Sequence, residues 1–174
     1  MKIAVANDGR ALVIAEEKTY DVTEQLGLSE AESADPWMAW LRRGGDLAAL
    51  KRLELDEADL VDDVQLSAPL GVPGKIVAAP VNYLDHKVEM SEQKTIAEYG
   101  VFLKANSSVI GPHGTVKLPY LDKRTDQEGE LAVVIGRRAR NVRAEDALGY
   151  VLGYTRHPGH YRAIDRRPLH AQVV

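Results

Sequence analysis

Two carboxylates separated by one glycine, Glu128-Gly129-Glu130, stand at the head of an apolar run, Leu131–Ile135. In a β-strand, residues two apart project to the same face, so both carboxylates point one way. Like charges that close repel unless a proton or a cation sits between them. Hard oxygen donors favour Mg²⁺, Mn²⁺ or Ca²⁺ over zinc. A pair of solvated glutamates where a strand leaves a loop has the same sequence, and the tripeptide alone does not separate the two readings.

A second constellation lies in Asn82-Tyr83-Leu84-Asp85-His86-Lys87-Val88-Glu89. His86 and Glu89 are three apart, so one helical turn brings imidazole and carboxylate within reach. A carboxylate orients the ring and raises its basicity, which suits a general base that activates water. A surface histidine among helical salt-bridge partners reads the same way. The second histidine of a His-Glu-x-x-His zinc site is absent. Phe102-Leu103-Lys104 and Ser107-Ser108, ahead of Gly111-Pro112, form either a polar loop for an anionic group or a plain surface turn. Ser, His and Asp all occur, but no Gly-x-Ser-x-Gly elbow argues for a serine hydrolase.

The elements that must position these groups follow from pattern. Lys2–Ala6 alternates, Asn7-Asp8-Gly9 tolerates positive φ, and Ala11–Ala15 is apolar, which reads as a hairpin. Asp35-Pro36 has the form of an N-cap followed by proline at the first helical position. Trp37, Trp40 and Leu41 fall at helical spacing until Gly44-Gly45. A further helix is expected over Asp46–Leu55. Residues 1–55 therefore read as a small α+β module, and the acidic stretch with its Pro and Gly punctuation, 56–72, as a linker. Beyond it, strands are expected at Lys75–Ala79, Val101–Leu103, Val116–Leu118, Leu131–Ile135 (buried on both faces) and Tyr150–Thr155. Glu89–Glu98 reads as helical or mobile, and Ala144–Leu148 as a helical turn.

Composition narrows the class. The 174 residues carry 26 acidic against 22 basic side chains, a net charge of −4, with 45% apolar residues, as a soluble globular protein does. Zero Cys removes disulfides, thiolate zinc sites and cysteine nucleophiles together. No apolar run approaches the ~20 residues that cross a bilayer, and no signal-peptide core opens the chain. A cytoplasmic protein with neither nucleic acid nor membrane as partner is expected.

PGKIVAAPVNYLDHKVEM, FLKANSSVIGP, DQEGELAVVIGRRARNV and AEDALGYVLGYT occur in one order at compact spacing. In that order they resemble the catalytic core of the fumarylacetoacetate hydrolase family, over 73–155. Residues 1–55 resemble the small N-terminal module of many bacterial members. The resemblance implies an α+β fold, mainly β, built as a mixed β-roll whose mouth holds Mg²⁺, Mn²⁺ or Ca²⁺. It places Glu128 and Glu130 at two of three acidic metal ligands. His86 and Glu89 match a dyad on a segment that orders over substrate, and Tyr83 and Lys104 stand as substrate-binding candidates. It further implies a small 1,3-dicarbonyl or 2-oxo acid substrate, C–C bond hydrolysis and a homodimer of the intact fold. Related members isomerise or decarboxylate similar acids, and a non-catalytic fragment is the remaining alternative. Gln127 stands where an aromatic residue is frequent.

A sharper departure follows Thr155. The family continues with a segment containing the third acidic ligand, an Asp, and then an Arg, whereas this chain has Arg156-His157-Pro158-Gly159. Its last 19 residues hold three of the five His, four Arg and two Pro, and fit neither a strand nor a helix period. Shifting the reading frame one nucleotide forward through Pro158–Asp165 permits Leu-Asp-Ile-Thr-Val-Arg-Ser-Thr, which restores both expected residues. Residues 156–174 are therefore expected to be an out-of-frame tail on a truncated core. Without the third carboxylate, the chain as written is expected to bind metal weakly and to be inactive on acylpyruvates.

Overall fold

The computed structural model describes residues 1–29, 35–118, 122, 125–162 and 171–173, without the side chains of 123–128 and 157–173. The fold is mixed α+β, with more of the described residues in strands than in helices. Two compact units emerge. The first takes Met1–Gly74, Asn106–Gly114 and Ile135–Leu152; the second takes Lys75–Ala105, Thr115–Val134 and the described residues from Gly153 on.

The first unit is built on an antiparallel meander of β1 (Lys2–Val5), β2 (Ala11–Ala15) and β3 (Lys18–Asp21). The expected hairpin is there, paired Lys2↔Ile14 to Val5↔Ala11. The third strand was not expected, because its turn is Glu16-Glu17 rather than a glycine dipeptide. Both residues take positive φ, 50° and 62°, as a two-residue hairpin turn between paired Ala15 and Lys18 demands.

Alternation along β2 explains its continuous apolar sequence. Ala11 and Val13 join one core with Val5, Val22, Trp37, Trp40 and Leu50, while Leu12 joins another with Ala4 and Ala6. The sheet is thus covered on both faces. One cover includes helix α1 (Pro36–Arg42), which ends at Arg43 before Gly44 at φ +92°, and α2 (Leu47–Leu50), much shorter than the sequence suggests. Asp46 caps α2 by accepting the Ala49 N–H at 2.7 Å.

The other cover is the acidic stretch read as linker: Val61, Val64 and Leu66 pack on Ala4, Ala6 and Leu12. Its backbone bridges β3 at Tyr20↔Leu60 and meets the chain just beyond β1 at Ala6↔Leu66, covering both open edges of the meander. Asp56, Glu57, Asp62 and Asp63 are exposed while Val61, Val64 and Leu66 pack inward, a pattern too short and irregular to register as periodicity.

In the second unit β4 (Ile76–Pro80) lies between β5 (Phe102–Lys104) and β8 (Ala171–Val173), antiparallel to both. Two short helices, α3 (Leu84–Glu89) and α4 (Ile96–Tyr99), fill the connection from β4 to β5. Strands β6 (Thr125–Ile135) and β7 (Val151–Arg162) form a two-stranded ribbon, and Ala144–Tyr150 between them is 3₁₀-helical.

Two expectations change here. Val116–Leu118 is not a strand; it has no ladder partner among the described residues and follows the Gly111–Gly114 turn. The apolar run of β6 is not buried on both faces, since Leu131 and Ile135 are half exposed on a ribbon that, among the described residues, pairs with β7 alone. The backbone of β7 continues through Arg162, but the side chains of the expected tail, from His157 on, lie outside the described residues.

Candidate functional site

All six residues singled out by sequence belong to the second unit. Tyr83 is the N-cap of α3, with an extended backbone, and its carbonyl accepts the Lys87 N–H at 3.0 Å. The helix then carries His86 and Glu89 on one side, one turn apart. His86 Nδ1 stands 3.4 Å from Glu89 Oε2, with the imidazole largely covered and the carboxylate largely exposed. That distance is long for a hydrogen bond.

Immediately ahead of the helix, Val81 is buried at φ +46°, a conformation that a β-branched residue adopts only under constraint. The strain sits where the chain leaves β4 and turns toward Tyr83.

Glu130 lies in β6 and is 3% exposed, the one charged side chain among the described residues that is buried. A carboxylate in that setting needs a proton, a cation or strong donors. Glu128 occupies a position in the same strand, but its side chain lies outside the described residues. Among the described residues no three His, Cys, Asp or Glu side chains group to hold a metal ion. The donor chemistry of Glu130 nonetheless fits a hard divalent cation.

Tyr83 reaches this strand directly. Its hydroxyl accepts the backbone N–H of Leu131, the residue after Glu130, at 3.1 Å. Lys104 ends β5 opposite Ile76, half-buried on the face it shares with Phe102. The structure therefore brings His86 to Glu89, and Tyr83 to the strand of Glu130.

One cluster escaped the sequence reading. Glu92 accepts the N–H groups of Gln93 and Lys94, each at 2.9 Å, and the Tyr99 hydroxyl. The Tyr99 bond first, then the backbone donors, holds the Glu92 carboxyl below its ordinary value, and Glu92 in turn raises the Tyr99 phenol. Lys87 Nζ donates to the Lys94 carbonyl, and Lys94 lies over the Tyr99 ring at 5.5 Å. Glu98 accepts the Thr95 N–H at 2.8 Å, and these bonds hold its carboxyl low. The Thr-x-x-Glu spacing at 95–98 was a legible helix-start signal. These contacts tie α3 and α4 to one another while Leu84 and Val88 remain about 80% exposed.

No helix among the described residues is long and apolar enough to cross a membrane. Residues 75–157 match the family described as Fumarylacetoacetate (FAA) hydrolase C-terminal. Over 170 residues the chain is 41% identical to maleylpyruvate hydrolase of Aquipseudomonas alcaligenes, covering 88% of this chain and 59% of that protein. It is 38% identical over 93 residues to the mitochondrial oxaloacetate tautomerase fahd2 of Xenopus laevis, covering 53% of this chain and 29% of that one. A crystal structure of maleylpyruvate hydrolase from Sphingobium sp. SYK-6, in complex with manganese(II) and pyruvate, superposes with a TM-score of 0.70 at 29% identity. That superposition covers all of this chain and 65% of the other.

Proposed function

The chain belongs to the fumarylacetoacetate hydrolase family, and we propose that its residues 73–155 hold half of a hydrolytic centre. The reaction is divalent-metal-dependent cleavage of a C–C bond in a small 1,3-dicarbonyl or 2-oxo acid, of which maleylpyruvate is the first to test. The observation that carries this reading is the contact of His86 Nδ1 with Glu89 inside the matched segment. The likeness to two maleylpyruvate hydrolases supports the substrate class.

In this reading Glu89 accepts from Nδ1 and fixes the ring so that Nε2 takes the proton of an attacking water. The same nitrogen returns the proton to the departing carbon. Lys104 supplies a cation for the substrate carboxylate, and the Tyr83 hydroxyl, while accepting from Leu131, keeps its own proton to donate. Glu128 and Glu130 would hold Mn²⁺, Mg²⁺ or Ca²⁺, which when bound supplies Lewis-acid polarisation of the substrate oxygens. The α3–α4 segment, with Leu84 and Val88 turned to solvent, closes over the bound acid. The intact fold works as a homodimer.

The likeness to an oxaloacetate tautomerase favours one further reading. Keto–enol transfer needs the proton shuttle of His86 and Glu89 but consumes no water, so product analysis separates the two.

Residues 156–174 remain, in this proposal, an out-of-frame tail. The chain as written is expected to bind Mn²⁺ weakly and to leave acylpyruvates intact. The protein encoded with the frame corrected after Thr155 is expected to hydrolyse maleylpyruvate in the presence of Mn²⁺. Loss of the substrate's enol absorbance and formation of pyruvate are the readouts. Robust turnover by the uncorrected chain, abolished in Glu128→Ala, would refute the role given to the missing third acid.

A further inference from the structure

Helix α3 has a positioning problem. It is six residues long and none of its residues is fully buried. An isolated helix of that length is unstable in water, and packing of an apolar face is what normally fixes one. Here the apolar residues Leu84 and Val88 face solvent, so hydrophobic contact does not set the rotation of the helix. Yet the helix carries His86 and Glu89, whose use depends on where they stand.

We propose that Tyr83 is the positioning residue: its hydroxyl pins the start of α3 to β6 and sets where the His86–Glu89 pair stands relative to the strand carrying Glu130. The inference rests on the reading of that pair as the proton-transferring groups. Three observations carry it. Tyr83 is the N-cap, so its backbone carbonyl accepts the first helical bond, from Lys87, at 3.0 Å. Its phenolic oxygen accepts the Leu131 N–H, 48 residues away in sequence, at 3.1 Å. A strand N–H engaged by a phenol points to the edge of β6 not spent on β7. One residue therefore joins helix start and strand edge through both ends of its structure. Val81, two residues earlier, holds a buried positive-φ conformation that aims the chain from β4 toward this contact.

The leverage is large. Side chains on a helix lie about 6 Å from its axis, so a rotation of roughly 10° carries an imidazole through about 1 Å. Displacement of that size costs on the order of 10²-fold in rate.

The test is Tyr83→Phe in the chain as it stands, with Trp37→Phe, in the other unit, as a control for general destabilisation. In the parent chain the Leu131 amide should be protected from hydrogen exchange. In Tyr83→Phe it should exchange about 10-fold faster, the equivalent of one net hydrogen bond, and the Lys87 and Met90 amides of α3 should accelerate with it. Nitrogen-detected spectra of the His86 ring should shift from the Nδ1–H tautomer favoured by Glu89 to a mixture. Trp37→Phe should move none of these signals. An unprotected Leu131 amide in the parent chain overturns the pin. So does faster Leu131 exchange with α3 and the His86 ring unchanged.

In the frame-corrected protein, Tyr83→Phe should lower kcat about 30- to 100-fold, with KM rising as the hydroxyl donor is lost and Mn²⁺ affinity within about 3-fold. An unchanged kcat overturns the positioning role. Absence of turnover in the frame-corrected parent refutes the hydrolase reading instead, and the exchange and ring signals still decide the pin.

Discussion

Trp37 offers a stability change large enough to decide whether the N-terminal unit is held as described. Its side chain is fully buried, and its Nε1–H donates to the Ala4 carbonyl at 2.7 Å. Trp37→Phe removes one buried hydrogen bond to a carbonyl that stays paired with Leu12 in the β1–β2 ladder, at a cost of about 0.5–1.5 kcal/mol. The smaller ring also leaves a void of roughly 40 Å³, worth about 1 kcal/mol at ~24 cal/mol per Å³. The edge-to-face contact with Trp40, at 5.9 Å and 83°, is available to phenyl and is left out of the sum. The expected loss is about 1.5–2.5 kcal/mol, a sizeable share of the ~5–15 kcal/mol that holds an ordinary domain. The chain has two tryptophans, both in this helix, so urea titration followed by Trp40 fluorescence reads this unit alone. A loss under about 1 kcal/mol would refute the clamp between α1 and β1.

Replacing Glu16-Glu17 by Asn-Gly should stabilise the same unit by about 1 kcal/mol, because both native residues hold positive φ at the β2–β3 turn; an unchanged or lower urea midpoint contradicts that. Burial raises the Asp35 carboxyl above its ordinary value, with Arg42 at 3.6 Å and the Met38 N–H opposing. The folded state thus binds the proton more tightly than the unfolded chain, and stability falls as pH rises from about 4 through the raised value. Asp35→Asn should flatten that slope and raise the midpoint at pH 7 while leaving it nearly unchanged at pH 3; a steeper slope would show the sign to be wrong. Sequencing the gene downstream of Thr155 should reveal a single-base shift that restores an Asp- and Arg-bearing segment, and an unbroken frame with no such option ends that proposal.

What the residues reveal by themselves depends on how local the cause is. The β1–β2 hairpin, the proline-started α1 and the strand at Ile76–Pro80 were legible because short patterns dictate them. The third strand was hidden by its turn, since Glu-Glu does not announce positive φ and only the pairing of β2 with β3 enforces it. Residues 56–72 read as solvated because five acids mask Val61, Val64 and Leu66, whose burial depends on a sheet far away in sequence. At the site, spacing alone put His86 beside Glu89, and the strand period put Glu130 in a distinctive place. The reach of Tyr83 to Leu131 is a long-range contact that no local pattern encodes.

That His86, oriented by Glu89, moves the proton in a metal-dependent C–C hydrolysis is tested most directly by one comparison. It is kcat/KM for maleylpyruvate, with Mn²⁺ present, in the frame-corrected protein and in its His86→Gln variant. Turnover in the parent with a loss of about 10²–10⁴-fold in the variant is predicted. An inert parent, or a variant that matches it, would contradict the assignment.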